Sequence, residues 1–243
     1  MEIVAVSDSE ASAWSSAECP VEHVLVSSVH VGDLYTFGWW TLKVKHVLMP
    51  PMDDRTLRIV TTALELAEKD GFDAVRLRDV AAKADVALGT VYRRFPTKED
   101  ILVAALEVQM ERLALLIQDH PVTGDTAVER TASCFDVMTK LLISKPALAR
   151  ALLRAVASGV PENTERIAQF HGTTTSVIAA MMFDLDRGDA AWHEVLAGLL
   201  QDIWFASLVG WAGGLHGPEK VVTDMKLATE LLLNAPIPEG AAG

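Results

Sequence analysis

Residues Val75 to Leu102 read VRLRDVAAKADVALGTVYRRFPTKEDIL, and the spacing of their apolar side chains predicts two short helices joined by a tight turn. Val80, Ala81, Ala84 and Val86 give the first helix a small apolar face, over which a second helix, about Leu88 to Arg94, can cross closely. On that second helix Val91 and Phe95 fall on the inner side. Thr90, Tyr92, Arg93 and Arg94 are left for the outer side, where only solvent or a partner can use them. Pro96 ends the helix, because proline disfavours the helical region for the residue before it. Thr97 then caps the next helix, with Asp100 three residues on in capping-box spacing. A short helix bearing Thr, Tyr and two Arg, pinned across another by small residues, has the layout of a helix-turn-helix recognition helix.

Asp79-Val80-Ala81, Ala84-Asp85-Val86, Gly89-Thr90-Val91-Tyr92, Phe95-Pro96 and Lys98-Glu99-Asp100-Ile101-Leu102 together resemble the DNA-binding signature of the TetR family of bacterial repressors. The match covers about 45 residues, 55–102, and is specific because it fixes Gly, Thr, Tyr, Phe, Pro and Lys at set spacings. Ala87 departs from the pattern, since a hydroxyl-bearing residue is usual there; its absence weakens the helix cap by about 0.5–2 kcal/mol. The expected DNA contacts are Arg78, Leu88, Gly89, Thr90, Tyr92, Arg93 and Lys98. Hydroxyls of Thr90 and Tyr92 suit phosphate oxygens, which fix register. Arg93 offers a bidentate fork to guanine or a charge to a phosphate. Lys98 resembles the family's phosphate-contacting lysine, and Arg78 would reach the backbone on the other flank. Leu88 and Gly89 stand at the helix N-terminus, where a methyl contact or a close backbone approach is expected. Arg94 is expected at the edge of this face or paired with an acid. Without a partner, the same residues would make a solvated charged face on an ordinary bundle.

Outward from this stretch the chain remains helical. Leu57, Val60, Leu64 and Ala67 recur at helical spacing, and Lys69-Asp70-Gly71 ends that helix with glycine in the C′ slot. Phe72 and Val75 staple the turn into the core, which completes a three-helix DNA-reading head over 53–100. A long helix from Thr97 to about Asp119, through Ile101, Leu102, Ala105, Val108, Leu113 and Leu116, forms the rod to the second half. That half, 101–235, reads as a helical bundle for ligand binding and dimerisation, with further helices at about 126–144, 147–158, 162–185, 189–212 and 218–234. Pro146, Pro161 and Pro218 fall at first-turn positions. The fold class is therefore all-α. Residues 1–52 form an N-terminal extension, read as a disordered arm, a small strand pair, or a translated upstream segment before a true start at Met49 or Met52; the last is favoured. Residues 236–243 read as a disordered tail.

The net charge of −12 argues at first against a nucleic-acid binder. By region the objection weakens: 53–100 holds nine Lys/Arg against ten Asp/Glu, while 101–243 holds ten against seventeen. Phosphate contacts need only a local patch of cations. Cys19 and Cys134 lie far apart with no CxxC partner, so neither a disulfide framework nor a zinc site is indicated, and a reducing cytoplasm is the expected location. His23, His30 and His46 are too irregularly spaced for a metal. No run of 18 apolar residues suggests a membrane span. Ser133-Cys134, His171 and His193-Glu194 have no catalytic motif around them, so no enzyme and no cofactor is expected.

Large apolar residues of the second half, Phe135, Met138, Phe170, Met181, Trp204 and Trp211, recur at helical spacing. Residue by residue they read first as plain core, while Met and Trp together in one bundle suit the lining of a pocket for a bulky apolar ligand. The family resemblance implies such a cavity, with Ser133, Thr139, Thr174, His171 and Gln201 as possible polar contacts. The run Val195 to Trp211 is apolar on nearly every face and would be buried on all sides. A twofold mate would achieve this, with Gly198, Ala206, Ser207 and Gly210 permitting close approach. Asp202-Ile203-Trp204 and Trp211, with 75–96, are most similar to regulators of cholesterol and steroid catabolism in actinobacteria, where the inducer is a steroid-derived acyl-CoA thioester. The resemblance thus implies a homodimeric repressor that binds a palindromic operator in double-stranded DNA and is released by a small apolar effector. A helical ligand-binding protein or enzyme, and a DNA binder without an effector, are the other readings.

Overall fold

The first helix, α1 (Asp54–Asp70), starts where the Asp53 carboxylate accepts from the Arg55 and Thr56 backbone N–H groups at 3.1 and 3.0 Å. It stops at Gly71, whose φ of 78° lies in the left-handed region that glycine enters without strain. Its buried face is Ile59, Val60, Ala63, Leu64, Leu66 and Ala67; Leu57, expected on that face, is exposed, because the part of the helix that meets the core begins at Ile59. A 3₁₀ turn over Phe72–Ala74 buries Phe72 and delivers the buried Val75 into α2 (Leu77–Lys83). Then follow α3 (Leu88–Arg94) and α4 (Lys98–Asp119). Thr97 caps α4 by accepting from the Asp100 N–H at 3.1 Å. The Asp100 carboxylate turns away to Arg166, so only one half of the expected capping box forms.

This computed structural model describes residues 52–119, 122–159, 164–182, 185 and 188–237, all within the unit Gly38–Gly243. Expectations for 1–51, for Pro161 and for 238–243 lie outside the described residues. The remaining helices are α5 (Ala127–Ile143), α6 (Pro146–Val156), α7 (Thr164–Ala180), α8 (Ala190–Ala212) and α9 (Pro218–Asn234). Thr126 and Glu129 form a reciprocal capping box at the start of α5, and the Thr126 and Asp125 backbone N–H groups hold the Glu129 carboxyl below its ordinary range. Pro146 and Pro218 stand in first turns as expected. The helix read to residue 185 ends instead at Ala180. Met181 and Met182 continue in tighter i→i+3 turns, bonding to the Ile178 and Ala179 carbonyls at 3.0 Å, and both side chains are buried. The apolar pattern outlasts the α-helix there, which is why periodicity overshot.

Two apolar cores result. The first joins α1, α2, α3 and the start of α4 around Ile59, Val80, Val91, Phe95 and Ile101. The second joins α5, α7, α8 and α9 around Phe135, Met138, Ile178, Leu200, Trp204 and Met225. Helix α6 serves both. Leu148, Ala151, Leu152 and Ala155 face the first core at i, i+3, i+4 and i+7, while Ala149 and Leu153 face the second. The head therefore rests on α6 as well as on the α4 rod foreseen from sequence.

Helix α8 is long and apolar enough, by length and composition alone, to cross a membrane. Its Leu196, Leu200, Trp204, Leu208 and Trp211 side chains are nevertheless buried against neighbouring helices, as in a core helix. The other side is open: Val195, Leu199, Ile203 and Val209 are exposed, with Leu227 and Leu231 exposed on the adjoining α9. A Cβ added at Gly210 would meet Nε2 of His216 at 2.6 Å, so the imidazole of the following loop packs close to this glycine.

Candidate nucleic-acid interface

Helix α3 is held from below. Val91 and Phe95 are fully enclosed, and Leu88 is half-buried against the same core. The turn before it is closed by the Val86 N–H, which donates to the Ala81 carbonyl at 3.1 Å. Asp85 adopts φ 52°, the left-handed region that Asp tolerates better than most non-glycine residues. Ala87 offers no side-chain cap, so the first turn of α3 leaves backbone N–H groups available at the outer surface.

The outward side chains fall as the sequence placed them. Gly89, Tyr92 and Arg93 are exposed, Tyr92 to 54%, and Thr90 is half-buried beside them. Arg78, on α2, is exposed too. Neither Arg78 nor Arg93 has an ion-pair partner among the described residues. A Cβ added at Gly89 would meet nothing within 4 Å, so no internal contact requires glycine there. Two cations behave differently. Arg94 is withdrawn: it bonds to Asp53 and Thr56, locking the end of α3 to the cap of α1. Hydrogen bonds from Thr56, then from Arg94, hold the Asp53 carboxyl well below its ordinary range. Lys98 also has internal partners, with Nζ 3.4 Å from Asp73 Oδ1 and 3.9 Å from the centre of the Phe72 ring.

Arg166 of α7 joins this region from the second half, and sequence reasoning missed it. Its Nη1 donates to Glu107 Oε1 at 2.7 Å, its Nε lies 3.4 Å from Asp100 Oδ1, and its guanidinium sits 5.8 Å from the Phe95 ring centre. Asp100 and Glu107 are seven residues apart on one face of α4, and both are almost fully buried. Burial raises the Asp100 pKa above its ordinary value; Arg166 opposes that rise and Glu107 adds to it. An acidic i, i+7 pair, with only apolar residues from Ile101 to Leu106 between its members, was the legible sign.

Of the six expected pocket residues, Phe135, Met138, Met181, Trp204 and Trp211 gather in the second core. Phe135 and Trp204 pack with ring centres 5.9 Å apart, and Trp204 Nε1 donates to Thr139 Oγ1 at 2.9 Å. Phe170 instead packs against the first core. The polar candidates are largely occupied: Thr139 by Trp204, Thr174 by the Phe170 carbonyl at 2.9 Å, Gln201 by Thr175 at 2.8 Å, and His171 beside Asp202 at 3.5 Å. Among the described residues, the hydroxyls that are buried without a hydrogen-bond partner are those of Thr131, Ser207 and Thr229. Two of these, Thr131 and Thr229, carried no sequence signal beyond lying on core faces. An open groove of about 500 Å³ runs along α7 past Thr164, Ile167, Ala168 and His171, and touches none of the six. Burial pushes the Cys134 thiol up to about 12, which leaves it inert. No group of three metal-ligating side chains occurs among the described residues.

Known proteins share this arrangement. Residues 59–105 match the family model for bacterial regulatory proteins of the tetR family, and 124–232 match the tetracyclin repressor-like C-terminal domain. The HTH-type transcriptional repressor KstR of Rhodococcus jostii is 31% identical over 180 residues, 74% of this chain and 83% of the relative. A crystal structure of a TetR transcriptional regulator from a Rhodococcus species superposes with a TM-score of 0.66 at 22% identity, covering 76% of this chain and 98% of that one. Thermus thermophilus FadR, a repressor solved in complex with lauroyl-CoA, superposes with a TM-score of 0.60 at 22% identity, covering 76% of this chain and all of the other. These last two likenesses concern the fold. With a specific head, a matching second half and repressors as its relatives, the chain is a DNA-binding transcriptional regulator, not an enzyme, and belongs to the TetR family.

Proposed function

We propose that this regulator is a cytoplasmic, dimeric repressor of a palindromic operator, released by an apolar acyl-CoA thioester of fatty or steroidal type. The observation that carries the DNA contact is the outer face of α3. There an exposed Tyr92, an Arg93 with no ion-pair partner among the described residues and a Gly89 with no internal purpose face outward from a helix that Val91 and the adjoining Phe95 anchor in the core. Tyr92 and Thr90 would take phosphates, Arg93 a base edge or phosphate, and Arg78 and Lys98 the flanking backbone. The exposed apolar stripe along α8 and α9 supports a twofold dimer, since contiguous exposed apolar surface of this kind marks an interaction site. Such a dimer sets two heads about one DNA turn apart, roughly 34–36 Å, or a multiple of it. For the effector, support comes from the Met- and Trp-rich second core, the kinship with KstR and the lauroyl-CoA bound by a repressor of the same fold.

The test is binding to DNA from upstream of the protein's own gene across a salt series, with and without lauroyl-CoA, stearoyl-CoA and steroidal CoA thioesters. Tight, salt-sensitive binding to a palindrome that one thioester class relieves is the expected result. Binding that every thioester leaves intact would refute the effector assignment alone. Absence of any specific binding would refute the operator assignment.

A further inference from the structure

We infer that Asp73 is an internal competitor for Lys98, and that Arg154 of α6 governs how strongly it competes. The inference rests on Lys98 being a phosphate contact, as proposed above. In the structure the Lys98 ammonium lies on the 3₁₀ turn, 3.4 Å from Asp73 Oδ1 and 3.9 Å from the Phe72 ring centre. Arg154 approaches the same two residues, with Nη1 3.5 Å from Asp73 Oδ2 and its guanidinium carbon 4.1 Å from the same ring centre. One carboxylate and one ring thus hold two cations, each of them on its own carboxylate oxygen.

The two cations belong to different parts of the molecule. Lys98 opens α4 directly behind the recognition helix. Arg154 stands on the helix that packs against both cores, directly after Leu152 and Leu153, which face the first and the second core respectively. A phosphate and the Asp73 carboxylate are alternative anionic partners for one ammonium, so the free energy of leaving Asp73 is subtracted from DNA binding. Arg154 neutralises part of that carboxylate, which lowers the cost of releasing Lys98. A shift of α6 that moves Arg154 away returns Asp73 wholly to Lys98 and weakens the grip on DNA. Asp73 is 78% exposed on its side chain, so the contact is reversible, while the Lys98 side chain, at 28%, is already held close. Glu68, another carboxylate of the head, pairs with Lys145 at the N-cap of α6 at 2.9 Å, which makes it the control for net charge.

The experiment measures dissociation constants of the full chain for an upstream duplex and for a scrambled duplex, at low and moderate salt. The variants are Asp73→Asn, Lys98→Gln, Arg154→Gln, Glu68→Gln, and the first combined with each of the next two. Asp73→Asn is expected to tighten binding to both duplexes by about two- to five-fold at low salt, in line with exposed ion pairs. The gain should vanish in the Lys98→Gln background and should exceed the gain from Glu68→Gln. Arg154→Gln should weaken binding when Asp73 is present and change nothing in Asp73→Asn. Equal tightening with and without Lys98, or none at all, overturns the competition. If Lys98→Gln alone leaves affinity and salt slope unchanged, the phosphate role of Lys98 fails first and the inference falls with it; a contacting lysine should lower the slope by about one unit. Circular dichroism of each variant confirms that the head stays folded.

Discussion

Gly89 sits inside a helix, where glycine is costly, and nothing in its own chain occupies the space a Cβ would take. Replacing it with alanine should stabilise the head by about 0.5–1 kcal/mol, because alanine loses less backbone entropy. If DNA backbone approaches closely there, the same change should weaken operator binding at least several-fold. Thermal unfolding and DNA titration of Gly89→Ala check the two halves separately; a variant that is more stable and binds as well as the parent would remove Gly89 from the interface. Arg94 teaches the opposite lesson. Expected at the edge of the recognition face or paired with an acid, it takes the second course and bonds to the cap of α1. Which of two adjacent arginines is free depends on Asp53, 41 positions away in the chain, and no local pattern reveals that.

At the scale of elements, α4 is joined to α7 by one guanidinium serving two buried carboxylates. Asp100 has a folded pKa above its ordinary value of 3.8, with burial as the leading cause. The sign follows directly. Below the ordinary value the carboxyl is protonated in both folded and unfolded chains, and no penalty exists. As pH rises, the unfolded chain ionises first, and the folded state loses relative stability until its own, higher pKa is passed. Asp100→Asn lacks this proton. Its stability relative to the parent should therefore improve as pH is raised from about 4 towards 7, as chemical denaturation at several pH values would show. A difference that is flat in pH, or that moves the other way, would mean that Arg166 outweighs burial at this site. The dual face of α6 explains why these links matter. A helix that packs into both cores cannot shift without disturbing the head.

At the scale of the whole molecule, the open stripe on α8 and α9 decides whether one chain is the functional unit. Leu199 is 46% exposed and Leu231 is 62% exposed, positions where a lone chain gains nothing from leucine. Leu199→Glu or Leu231→Glu should split a dimer, because each would place an unpaired charge in an apolar contact. Light scattering should then report a mass near 26.3 kDa in place of twice that value. Operator affinity should fall by more than ten-fold, since two heads no longer bind as one. An unchanged mass would place the interface elsewhere.

The sequence by itself determined the head. The recognition helix, the glycine stop at Gly71, the Thr97 cap, and the outward set Tyr92 and Arg93 all follow from local chemistry: spacing, proline, glycine and polar caps act within a few residues. The family followed from the same stretch. Only the tertiary structure decided what depends on distant partners. It withdrew Arg94 to Asp53, brought Lys98 and Arg154 onto the Phe72–Asp73 turn, set Arg166 between Asp100 and Glu107, sent Phe170 to the other core and gave Gly210 to His216. Each is a contact between residues that are remote in sequence or lie beyond a turn. Helical periodicity says which face turns inward, but the neighbour that meets it is chosen by how the helices pack.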